Sequence, residues 1–193
     1  MKPWLVQRIK LLVILTGLLV AIQIINSLTG YALTAFGIIP RTIDGLAGIL
    51  LAPFIHGSWS HLLSNLPPLL ILSALLLRDQ IRQYLYASLF IIITTGLAVW
   101  LVGRYAVHVG ASGWIFGLWG LLIAQGIFRR RLSDIIIAIL VLFYFGAMAS
   151  GLLPVHQTIS TESHIAGAIS GGFYAWWINQ RRKKSLQSTP RAY

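Results

Sequence analysis

The sequence predicts an all-α membrane protein with six transmembrane helices and both termini on the cytoplasmic side. Three observations carry this. Of 193 residues, 57% are hydrophobic and only 10% are charged, against roughly 25% charged in an average soluble domain, and the mean hydropathy is +0.80. The charges are also spaced far apart, leaving six uncharged stretches of 18 to 33 residues. A helix needs about 20 apolar residues to cross a bilayer. Finally, Lys and Arg fall on one side of such a topology. The 2–3 and 4–5 loops and the termini hold 13 of them, while Arg41 and Arg104 alone lie opposite. Basic loops stay in the cytoplasm.

The six expected spans are about 11–28, 61–77, 84–102, 112–128, 134–152 and 163–180. They do not alternate, which excludes a barrel, and lipid requires backbone groups to pair within the segment, which favours helices. The first span reads as an anchor rather than a cleaved leader, because no A-x-A site follows it. Residues 29–60 form a connection too long for a simple loop. Its runs Gly37–Pro40 and Leu46–Pro53 are apolar, so a partly helical, membrane-associated element is expected. The net charge of +11 reads as a topology anchor, with no nucleic-acid partner. The tail 181–193 is expected to be flexible, and residues 1–193 to form a single membrane domain. With no cysteine, neither a disulfide nor a Cys-based metal site is possible.

Five histidines, at positions 56, 61, 108, 156 and 164, all fall on the non-cytoplasmic side of this topology. Ionisable groups within a membrane point to function. His61, Ser112 and His164 each precede a basic residue (Arg78, Arg129 and Arg181) by 17 positions. At 1.5 Å per residue, each lies about 25 Å above the cytoplasmic edge, so three helices bring polar groups to one level. Asn65 lies one turn below His61 on the same face. Serine becomes a nucleophile when a histidine takes its proton. Ser112 sits between Gly110 and Gly113 at an expected helix start, where free amides can stabilise negative charge. Each residue also has a structural reading. Ser112 can be a helix N-cap, His61 and His164 interfacial caps, and Asn65 a patch for the kink at Pro67-Pro68. His108 and His156 read as loop bystanders. HExxH is absent, and no carboxylate lies inside a span to serve a metal-bound water. No metal or organic cofactor is therefore expected.

Taken together, these residues resemble the rhomboid intramembrane serine proteases. The resemblance rests on His56-Gly-Ser-Trp-Ser-His61-Leu-Leu-Ser-Asn65, Gly110-Ala-Ser-Gly113 and His164-Ile-Ala-Gly167-Ala-Ile-Ser-Gly171, in that order on successive parts of the frame. It implies a rhomboid-like bundle of the minimal six-helix prokaryotic type. It implies Ser112 as nucleophile and His164 as general base, with His61 and Asn65 lining the oxyanion hole. His56 would support the site, and Phe116 stands where the family often has a tyrosine under the histidine. Gly167 and Gly171 would bring the sixth helix against the fourth, at Gly113, Gly117 and Gly120. The 153–161 loop would cap the site. The implied partners are transmembrane protein substrates within the lipid bilayer, and the implied setting is a bacterial plasma membrane with the site facing the non-cytoplasmic side. A catalytically inactive, rhomboid-like binding or quality-control module is the alternative, and a small transporter a more distant one. Oligomeric state leaves no signal in the sequence.

Overall fold

Helix α1 spans Pro3–Leu28, and its proline occupies the first turn, where the missing N–H costs nothing. Only Leu15, Leu19, Gln23 and Asn26 of this helix are buried, a single stripe at helical spacing. The computed structural model describes residues 2–153 and 160–188. Among these, all regular secondary structure is helical apart from one isolated bridge between Ile38 and His108. After α1, the long connection folds into short helical turns, including α2 (Gly48–Leu51). Then come α3 (Trp59–Leu76), α4 (Ile81–Val102), α5 (Ser112–Arg129), α6 (Leu132–Phe145) and α7 (Thr161–Ser188). A 3₁₀ segment, Gly146–Leu152, extends α6.

Four helical segments among the described residues are long and apolar enough to cross a membrane: Pro3–Leu28, Trp59–Leu76, Ile81–Val102 and Leu132–Leu152. Helix α7 is less apolar, and α5 and α7 occupy the middle of the bundle. α5 packs most extensively on α7 and also meets α3, α4 and α6. Leu118, Leu121 and Leu122 of α5 pack with Leu62, Leu69 and Leu72 of α3 in the core. Lipid tails are as apolar as leucine, so burial alone does not hold such helices together; close packing and hydrogen bonds do. α7 runs on through Arg181 to Ser188, a stretch the sequence reading assigned to a flexible tail.

The 29–60 connection is tied down by backbone. The Trp100 indole N–H donates to the Thr42 carbonyl at 2.8 Å. Arg41 donates to the carbonyls of Leu101 (3.2 Å) and Gly103 (2.9 Å). It thereby satisfies the C-terminal carbonyls of α4, which lack intrahelical donors. Ile38 and His108 exchange two backbone hydrogen bonds of 2.9 Å each. The connection is thus joined to the segment that precedes α5.

Candidate active site

Ser112 is the first residue of α5. The turn before it is built by backbone geometry that its own sequence permits. Gly110 has φ +111°, a region L side chains rarely enter. A Cβ there would also lie 2.5 Å from Cε1 of His61. The glycine therefore lets the His61 ring lie directly against the turn. The Gly110 amide donates to the Ala52 carbonyl at 2.9 Å, and the Ala111 amide donates to His56 Nε2 at 3.3 Å. The turn is thus pinned from the 29–60 connection. The first amides of α5 have no carbonyl within their helix to bond.

His164, three residues into α7, is buried. Its Nδ1 lies 2.9 Å from the Gly151 carbonyl oxygen. A carbonyl only accepts, so Nδ1 carries the proton, and a neutral ring keeps its lone pair on Nε2. Phe116, one turn along α5 from Ser112, stacks on the same ring, with centroids 4.1 Å apart and planes 12° from parallel. The two contacts fix both tautomer and orientation.

A cavity of about 990 Å³ is lined by Ser112, His164, His61, Asn65, Phe116 and His108, among others. It brings Ser112, His164, His61 and Asn65 to one space. Neither Ser112 Oγ nor His164 Nε2 has a hydrogen-bond partner among the described residues. Ser112 is not the N-cap of α5; Ala111 is. Nor does His61 cap α3, where Ser58 Oγ accepts the His61 amide at 3.1 Å. Asn65 Nδ2 donates to the His61 carbonyl at 2.7 Å, not to the Leu63 or Ser64 carbonyls that the prolines leave unpaired. Its remaining N–H makes no hydrogen bond among the described residues.

His56 also lies outside the helices, in the link before α3. Its ring meets His61 edge-on at 5.0 Å, and its carbonyl accepts Asn26 Nδ2 at 3.0 Å. Because Nε2 accepts the Ala111 amide, the ring must be neutral there. Burial, and the nearby His61, push its pKa down to about 4. An unfolded His56 would take up a proton below about pH 6.5 while the folded one does not. Stability is therefore expected to be flat above that pH and to fall between pH 6.5 and 4, by up to about 3 kcal/mol. His56→Gln should flatten this dependence in thermal melts run from pH 7 to 4.5; an equally steep curve would place the titration elsewhere.

Three contributors escaped the sequence reading. Gly151 supplies the carbonyl that orients His164. Asn26 bridges α1 to the connection, since its Oδ1 also accepts the Leu33 amide at 3.0 Å. His108, expected to be a bystander, is buried. Its Nε2 lies 3.0 Å from the Arg104 carbonyl, and its Nδ1 lies 2.7 Å from Ser160 Oγ. Ser160 in turn meets Ser163 Oγ at 2.7 Å, so His108 fastens the segment before α5 to the start of α7. The reason is the Ile38 bridge, which pulls His108 inward. The signal available in the sequence was polarity in apolar surroundings, at Asn26 above all. His156 and most of the expected 153–161 cap lie outside the described residues.

Residues 44–181 match the family model of the Rhomboid domain. A protein of Mycobacterium tuberculosis is 35% identical over 178 residues, covering 88% of this chain and 74% of that protein. Rhomboid-like protein 11, chloroplastic, of Arabidopsis thaliana is 32% identical over 149 residues, covering 70% of this chain and 53% of its own. A Bacillus subtilis protein, which its name proposes as a rhomboid protease, is 28% identical over 148 residues, covering 70% and 68%.

Proposed function

The chain belongs to the rhomboid family, and on that premise we propose that it is an intramembrane serine endopeptidase, with Ser112 as nucleophile and His164 as general base. The observation that carries this reading is the Gly151 bond to His164 Nδ1. It leaves the Nε2 lone pair for the hydroxyl of a serine lining the same cavity. In this reading six helices span the bilayer, with the termini in the cytoplasm and the site toward the opposite face of a bacterial plasma membrane. A substrate helix enters from the lipid and unwinds locally. Helix-weakening Gly or Ser near the cut makes this easier.

Ser112 Oγ attacks the scissile carbonyl carbon as Nε2 takes its proton. The carbonyl oxygen becomes an oxyanion, stabilised by the Ser112 amide at the helix start and by donors from His61 and Asn65. The C–N bond then breaks as the protonated His164 returns the proton to the leaving amine. Water, activated by the now neutral His164, hydrolyses the acyl-enzyme and regenerates the serine. Free hydrogen bonds of this kind are often formed only with substrate bound, in keeping with the unbonded Ser112.

The test is covalent labelling and cleavage together. A fluorophosphonate is expected to modify Ser112, read as a mass shift on its peptide. A single-span substrate in liposomes is expected to yield two fragments with a new terminus near the outer leaflet. Labelling at another residue, or cleavage that persists once Ser112 is blocked by the probe, would overturn the assignment.

A further inference from the structure

At the opposite end of the bundle from Ser112 lies a second cavity, of about 540 Å³. Five arginines line it, and each comes from a different place in the chain. Arg8 is on α1, Arg78 follows α3, Arg129 ends α5, Arg131 precedes α6, and Arg182 is on α7. Asp79 is the single carboxylate in the lining.

Three of these arginines are held by the protein. Arg129 pairs with Asp79 at 2.6 Å, and Arg78 pairs with the buried Asp134. Arg8 donates to the carbonyls of Trp4 at 2.8 Å and Asp79 at 2.7 Å. The guanidinium groups of Arg131 and Arg182 make no hydrogen bond or ion pair among the described residues. Two guanidiniums thus remain open in a cavity already positive, at a cost in mutual repulsion that a bound anion would offset. Gln83 and Asn179 add neutral amides, and Ile178 an apolar wall.

A topology anchor needs only positive charge in solvated loops, and lysine serves for that. Here the four lysines, Lys2, Lys10, Lys183 and Lys184, all lie outside the lining, and every cation inside it is arginine. Arginine differs in its planar fork, which matches phosphate with two parallel hydrogen bonds. Basic pockets between helices at this level take lipid headgroups.

We propose that this cavity binds a phosphate-bearing anion, either the headgroup of an acidic phospholipid or a free phosphate. The ligand would join α1, the α3–α4 link, the end of α5, the start of α6 and α7 through one charge. The site lies about 25 Å from the Ser112 level, at 1.5 Å per residue along α5, so it is separate from the cavity that holds His164.

The test uses the full chain purified in neutral detergent. It is titrated with short-chain phosphatidylglycerol, phosphatidylcholine and inorganic phosphate, and read by thermal shift and native mass spectrometry. Phosphatidylglycerol is expected to raise the melting temperature and to stay bound in the gas phase, and phosphatidylcholine is not. Arg131→Gln with Arg182→Gln should weaken binding by about fivefold per arginine, roughly 25-fold for the pair. Lys183→Gln with Lys184→Gln removes the same charge outside the cavity and should leave binding intact. If the glutamine pair fails to fold, Arg131→Lys with Arg182→Lys keeps the charge, loses the fork and should still bind more weakly. Inorganic phosphate that saturates and competes with the lipid would make free phosphate the ligand; lack of competition would make it the headgroup. Equal losses in the arginine and lysine pairs, or no preference for the anionic compounds, would overturn the site.

Discussion

Ser112→Ala is expected to reduce cleavage of a transmembrane substrate by about 10⁴-fold or more while leaving the melting temperature essentially unchanged. The second half is as informative as the first. Ser112 Oγ has no hydrogen-bond partner among the described residues, so removing it breaks no structural contact. His164→Ala should reduce cleavage as far, but at a structural cost. It deletes a buried ring stacked on Phe116 and leaves a cavity, worth roughly 2–4 kcal/mol by comparison with other large-to-small core changes. The double variant should cleave no less than either single one, because a nucleophile and its base act as a unit and their losses do not add. Cleavage assays and melts on the three proteins decide this. Activity surviving in Ser112→Ala, or multiplying losses in the double variant, would sink the dyad.

The helices were legible because charge spacing reports where lipid begins and ends. The expected span 112–128 differs from α5, Ser112–Arg129, by one residue. The differences at the outer ends of α1 and α7 have one cause. α1 starts at Pro3 and so carries Arg8 and Lys10, and α7 carries Arg181 to Lys184. A charge ends contact with the hydrocarbon without ending a helix, so apolar length underestimates helices that continue into the headgroups. The tandem prolines lie inside the expected span 61–77 and inside α3. They do not end α3, because Pro67 and Pro68 cost the hydrogen bonds of two carbonyls near its exposed face while the remaining ladder persists. Ser112, His61, Asn65 and His164, which line one cavity, could be nominated from the sequence because the chemistry proposed for them resides in the side chain. Gly151 could not, since any residue offers a carbonyl and only the tertiary structure selects one. Arg41 at the α4 terminus and His108 under the start of α7 were hidden for the same reason: their partners are distant in sequence.

Gly171→Ala is expected to cost roughly 1–3 kcal/mol of stability and about 10²-fold in cleavage, whereas the same change one residue later, Gly172→Ala, should cost neither. A Cβ at Gly171 would overlap the Gly117 carbonyl oxygen and lie 2.8 Å from the Leu121 amide nitrogen. One turn earlier, a Cβ at Gly167 would overlap the Gly113 carbonyl and come within 3.2 Å of the Gly117 nitrogen. Backbone, unlike a flexible side chain, cannot turn aside, so α7 must move away from α5. This seam begins one residue after Ser112 and three after His164. Displacing it displaces the two groups from each other, and a misplacement of 1 Å is enough for a loss near 10²-fold. Gly172 has no atom within 4 Å of a new Cβ, and alanine there gains up to about 1 kcal/mol of helix propensity. Both variants share that gain, so the difference between them isolates the seam from the helix. Melting temperatures and cleavage rates measured side by side give the answer. If Gly171→Ala cleaves as well as Gly172→Ala, close approach of α7 to α5 does not set the Ser112–His164 geometry, and the pairing must be held instead by the Phe116 and Gly151 contacts to the histidine ring.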